Sequence, residues 1–95
     1  MSRTRPWVNG FAEEMEAKLE ANRHKGDRDA WRREQKAYLR RRLLEEVAEL
    51  FHEMDTNGVP GTASERKARI RSECADVANF AMMIADVAGD LKPKP

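Results

Sequence analysis

Two long helical patterns, residues 30–54 and 63–88, flank the turn-forming cluster Asp55-Thr56-Asn57-Gly58-Val59-Pro60-Gly61. That order restricts the fold more than any other feature, because two amphipathic helices joined by a short turn pack antiparallel and bury their apolar stripes against each other. The first pattern has no Gly or Pro in its interior and is rich in strong helix formers. At 100° per residue, Leu39, Leu43, Val47, Leu50, Phe51 and Met54 share one broad face, with Leu44 at its edge. Thr62-Ala63-Ser64-Glu65 matches a capping box and starts the second pattern. Gly89 and the tail Leu91-Lys92-Pro93-Lys94-Pro95 stop it. No alternation of strand type occurs, so the fold class is all-α.

Ahead of the hairpin, Phe11, Met15 and Leu19 recur every four residues and predict a helix from about Gly10 to Arg23, with Asn9 as its N-cap. Gly26 is the expected stop and Asp27 or Asp29 the cap of the next helix. Met1 to Val8 reads as a flexible arm and 90–95 as a flexible tail. The expectation is one domain over 1–95, a three-helix protomer made of the long antiparallel hairpin and the N-terminal helix. A chain of 95 residues buries only about 60% of its unfolded surface when it folds alone, so a partner subunit and an oligomeric helical bundle are expected.

Within the hairpin, Glu46 borders the apolar stripe, Glu49 and Glu53 extend the same acidic edge, and Glu45 points further outward. On the second helix Ile70, Val77, Phe80, Ile84 and Val87 line one face, and Glu73 projects into the middle of it. A buried carboxylate without a partner costs several kcal/mol, so it must be protonated, paired with a base or bound to a cation. Glu46 lies about ten residues before the turn and Glu73 about ten after it, roughly 15 Å along each arm. The two therefore meet at one level, with Glu46 and Glu49 facing Glu73 and Asp76 across the groove. Four crowded carboxylates call for a hard divalent cation, Mg2+ or alternatively Mn2+. Such an ion clamps phosphate oxygens and acidifies a bound water, which is the equipment of phosphoanhydride hydrolysis. The bland alternative is a solvated acidic face, which would suit a lone Glu-Glu-x-x-Glu better than it suits the two motifs at matched height.

The residues Glu45-Glu46-x-x-Glu49 followed by Glu73-x-x-Asp76 and the continuation Val77-Ala78-Asn79-Phe80 resemble the signature of the MazG-like, all-α nucleoside triphosphate pyrophosphohydrolases. The similarity runs from the Asn22 to Trp31 region to Met83. It implies an Mg2+-dependent enzyme that cleaves a (deoxy)nucleoside triphosphate, with a deoxynucleotide as the favoured candidate, into the monophosphate and pyrophosphate, for cleaning or adjusting nucleotide pools. It also implies that Glu46, Glu49, Glu73 and Asp76 hold the metal, and that Glu45 orients or activates the attacking water or supports the shell. Homodimers or homotetramers of helical bundles are implied as well. This chain departs from many relatives in ending its third helix with a proline-broken tail instead of a further helix.

Around the acids, Asn79 could read a ribose hydroxyl or a base edge, or satisfy a helix neighbour. In Asn22-x-x-Lys25-Gly26, Asn22 is a candidate substrate contact, and Lys25 could reach polyphosphate or simply sit at a helix C-terminus. Trp31 could stack on a base or pack in a core or interface. Arg66 and Arg69 could hold phosphates, although Arg69 and Glu73 also form an i, i+4 pair. Arg40-Arg41-Arg42 reads as a solvated face, Trp7 as a packing anchor or lid, His24 as a surface residue, and Cys74 as a small packed side chain.

Composition narrows the competing classes. Charged residues make up 37% of the chain and aromatics 6%, with a net charge of +1, so there is no general pull towards nucleic acid or anionic membranes. One cysteine excludes an internal disulfide and fits a reducing cytoplasm. No stretch approaches the roughly 20 apolar residues of a membrane span, and no apolar run follows Arg3 and Arg5 as a signal peptide would require. A non-enzymatic oligomeric helical interaction module is the main alternative, and an arginine-based nucleic-acid binder the second.

Overall fold

The computed structural model describes residues 4–55, 61–89 and 91–93. Among them the chain forms helix α1 (Pro6–Ala21), a 3-10 turn (Arg23–Lys25), a short helix α2 (Arg28–Arg33), and the long helices α3 (Lys36–Asp55) and α4 (Ala63–Gly89). All the regular structure there is helical, in keeping with the all-α reading. Residues 56–60 of the expected turn, and positions 90, 94 and 95 of the expected tail, lie outside the described residues.

Helix α1 begins earlier than the apolar spacing indicates. Pro6 occupies its first turn, where a fixed φ favours the helix and the missing N–H costs nothing. The last three residues of the expected arm, Pro6, Trp7 and Val8, are therefore helical. Asn9 is not the cap: its backbone N–H already donates to Arg5 O at 3.0 Å and its side chain to Thr4 O at 3.3 Å. At the other end Asn22 closes α1 two residues before its expected limit, its backbone and side-chain nitrogens both donating to Lys18 O. Gly26 then turns the chain with φ 132°, and a Cβ there would lie 2.6 Å from Ala30 Cβ, so the tight entry into α2 requires glycine. Asp27 caps α2 by accepting from Arg28 N.

The expected helix from Ala30 to Met54 is two helices. Its chain breaks at Glu34, which takes an extended conformation with ψ 148°, and Gln35 O restarts the ladder by accepting from Tyr38 N and Leu39 N. The cause is tertiary. Arg28, Trp31 and Arg32 on α2 all bond to Asp86 on α4, and α2 must leave the axis of α3 to reach it. Among the described residues there are thus four α-helices, where the periodicity of the sequence suggests three.

Helix α4 is the centre of the fold, with α1, α2 and α3 all packed on it and α3 sharing the most extensive interface. Thr62 Oγ1 accepts from Glu65 N at 3.1 Å at its start, as the capping box requires. Among the described residues, Leu39 and Ala75 are the fully buried apolar ones. Leu43, Val47 and Leu50 are half-buried, but Phe51 and Met54, expected on the same packed stripe, are 56% and 50% exposed, and Leu44 is 62% exposed. A stripe this broad exceeds what one antiparallel neighbour covers. No helix among the described residues is long and apolar enough to cross a membrane.

Candidate metal centre

The hairpin brings Glu46 and Glu49 of α3 against Glu73 of α4. One carboxylate oxygen from each lies within 4.8 Å of the others, so the count of residues on either side of the turn places them correctly. Glu46 is buried, Glu73 half-buried and Glu49 exposed at the mouth. Glu46 Oε1 accepts from Arg42 Nη2 at 3.1 Å, while Glu46 Oε2 and Glu73 Oε2 are buried without a hydrogen-bond partner. Buried oxygens are rarely left so. Burial, followed by the charges of Glu49 and Asp76, raises the Glu46 carboxyl from its ordinary 4.5 to about 7. Burial and then Asp76 and Glu49 push Glu73 upward as well, against an opposing pull from Lys18. Three convergent carboxyls, of which Glu46 and Glu73 are pushed upward and each keeps an orphaned buried oxygen, fit a hard divalent cation.

Asp76, the fourth expected ligand, stands beside this group with its Oδ2 3.2 Å from Lys18 Nζ. Lys18 also donates to Ser72 Oγ at 3.0 Å. Asn79, one turn on, is 4% exposed. Its Nδ2 donates to Met15 O at 3.1 Å, and since a carbonyl can only accept, the amide orientation is fixed. Its Oδ1 is buried and unpartnered.

A cavity of about 410 Å3 opens next to these groups. Helix α4 contributes Asp76, Asn79, Phe80 and Met83 to its lining, positions that share an arc of about 100° by helix geometry. The other walls include Asn22, Lys25 and Trp31, which were read from the sequence as substrate contacts, together with Lys18, Tyr38, Arg42, Glu46 and Glu49. Two expected site residues lie elsewhere. Glu45 is exposed and pairs with Arg42 and, at 3.9 Å, with Arg41. Arg69 pairs with Glu53 across the hairpin and not with Glu73, its neighbour one turn on. Neither Glu45 nor Arg69 lines the cavity.

The structure adds residues that the sequence pattern passes over. Arg42, read as part of a solvated run, folds inward between Glu46 and the Phe80 ring, 5.2 Å from its centroid. Its place four residues before Glu46 was the available signal. Asp86 is 1% exposed. It accepts from Arg28 Nε and Nη2 at 2.8 Å, Trp31 Nε1 at 3.0 Å, Arg32 Nη1 at 3.1 Å and Leu91 N at 3.1 Å. The Arg28 hydrogen bonds hold its carboxyl far below the usual range, against the upward push of burial. An acid inside Met82-Met83-Ile84-Ala85-Asp86-Val87 was its signal. No family model, curated protein or solved structure matches the chain.

Proposed function

We propose that the chain is a divalent-cation-dependent nucleotide pyrophosphohydrolase of the MazG-like kind, which it resembles in its paired acidic motifs, and that it works as a homo-oligomer. The observation that carries this reading is the convergence of Glu46, Glu49 and Glu73 within 4.8 Å, with Glu46 and Glu49 lining a cavity whose walls also include Lys25, Arg42, Asn79 and Trp31. Glu46, Glu49 and Glu73 would hold Mg2+, which supplies charge neutralisation for phosphate oxygens and acidifies water. In the reaction a water oxygen bonds to the α-phosphorus and the α–β bridging P–O bond breaks, releasing pyrophosphate.

The remaining groups divide the substrate between them. Lys25 and Arg42 offer positive charge to the polyphosphate. Trp31 has its N–H committed to Asp86, so its ring rather than its donor faces a ligand, which suits stacking on a base. Asn79 Oδ1 presents an acceptor, suited to a sugar hydroxyl or a base N–H. Glu45 supports the shell through Arg42. The exposed Leu44, Phe51 and Met54 support self-association.

The test is pyrophosphate release from a panel of canonical and modified dNTPs with Mg2+, comparing wild type with Glu49→Gln and Glu73→Gln. Release by wild type and its loss in both variants is expected. No release from any substrate, with no Mg2+-dependent change in melting temperature, refutes the enzyme reading in favour of a non-enzymatic helical module.

A further inference from the structure

We propose that Lys18 is a built-in counter-cation that withholds Asp76 from the metal shell and sets the site to one divalent ion per chain. This rests on the reading of Glu46, Glu49 and Glu73 as a cation site and concerns a residue of α1 that lies outside the acidic motifs.

The Lys18 ammonium sits in a notch of α4 between Ser72 Oγ at 3.0 Å and Asp76 Oδ2 at 3.2 Å. Ser72 and Asp76 are four residues apart and so share a helix face. The lysine and aspartate side chains are only 31% and 21% exposed, so solvent screens their attraction less than on an open surface. Asp76 nevertheless belongs to the site electrostatically, since its charge is felt at both Glu46 and Glu73. What it lacks is a place among the three converging oxygens.

Charge counting gives the consequence. Glu45, Glu46, Glu49, Glu73 and Asp76 bring five negative charges when ionised, and three cations are within ion-pair distance of them, Arg41 on Glu45, Arg42 shared by Glu45 and Glu46, and Lys18 on Asp76. Two negative charges remain, which one divalent ion neutralises. Without the Lys18 ammonium three would remain, and Asp76 would be released as a further oxygen donor beside the triad. Lys18 therefore limits both the charge and the ligand number of the site, and affinity for hard cations rises with both.

The experiment is a Mn2+ titration of nucleotide-free protein, with free Mn2+ read by electron paramagnetic resonance. It compares wild type, Lys18→Met, Asp76→Asn and the double variant, each checked for helicity by circular dichroism. Wild type should bind one Mn2+ per chain. Lys18→Met should bind at least about tenfold more tightly, the effect of removing one close positive charge. Lys18→Gln, which keeps a donor near Ser72 but no charge, should shift the same way and serves should the methionine variant misfold. The double variant restores two residual charges and should return to within about threefold of wild type. Unchanged affinity in both Lys18 variants overturns the proposal. So does a double variant far weaker than wild type, because Asp76 would then be a ligand despite Lys18. Absence of Mn2+ binding in every folded chain overturns the cation-site reading itself, which the other outcomes leave standing.

Discussion

Replacing Glu46 with Gln tests the acidic centre through stability alone, without any assumption about substrate. In the metal-free protein the Glu46 carboxyl is raised from 4.5 to about 7, by burial first and by the charges of Glu49 and Asp76 next. Between those values the folded chain retains a proton that the unfolded chain has released. The stability associated with this group is therefore fully present below pH 4.5 and is lost as pH rises through about 7. The displacement corresponds to on the order of 3 kcal/mol, a large part of the 5–15 kcal/mol typical of a small domain. Gln keeps the shape of the side chain and an oxygen for Arg42 but cannot ionise. Wild type and Glu46→Gln should thus unfold alike near pH 4.5 and diverge above it. At pH 8 the variant should be more stable by on the order of 3 kcal/mol, roughly 10–20 °C in melting temperature for a chain of this size. Mg2+ at a hundred times its Kd should return about 2.7 kcal/mol to wild type and far less to the variant. The assay is thermal and urea unfolding followed by circular dichroism from pH 4.5 to 8, in EDTA and then in Mg2+. Parallel stability curves for the two proteins across that range would refute the crowded-carboxylate reading.

Asp86→Asn, made in a Trp7→Phe background so that Trp31 alone emits, should red-shift the fluorescence as α2 loosens from α4. In the Asp86 protein that attachment is present above the ordinary carboxylate value of 3.8 and is lost only as pH falls through the much lower folded value, so an emission shift already at pH 4 would contradict it. Gly26→Ala should cost about 1–3 kcal/mol for its left-handed backbone, with further cost from the contact with Ala30, as read by urea denaturation. Arg69→Met should lower melting temperature by breaking the pair with Glu53 while leaving KM for the best triphosphate within about twofold, because Arg69 lies outside the cavity; a KM raised tenfold or more would place it back among the phosphate contacts.

The acidic centre was legible because its geometry follows from local rules. Turn chemistry at Asp55 to Gly61 and the capping signal at Thr62 set where the arms begin, and helical rise then brings Glu46 opposite Glu73. The break at Glu34 was not legible, since the segment carries no Gly or Pro and its cause is Asp86, more than fifty residues away. Lys18 escaped for a related reason. Its partners are on α4, and nothing in the spacing of Phe11, Met15 and Leu19 says at which height α1 docks. Arg42 shows the converse error: three successive arginines do fan around a helix, yet one of them finds Glu46 and the Phe80 ring and turns inward. Phe51 and Met54 sit where helical periodicity puts apolar residues, but periodicity does not count how many neighbours arrive to cover them.

Helix α4 carries Glu73 at one end of the site and Asp86 at the other, thirteen residues or roughly 20 Å apart along one uninterrupted rod. That rod is a ruler. The span between the cation end and the wall held by Asp86 is fixed by peptide geometry, whereas the α2 wall hangs from its far mark by polar bonds. Inserting one residue between the two marks would turn them by about 100° relative to each other and dismantle one end of the site. Changes in the length of molecule admitted must therefore come from side chains along the rod, with Asn79, Phe80 and Met83 as its graduations.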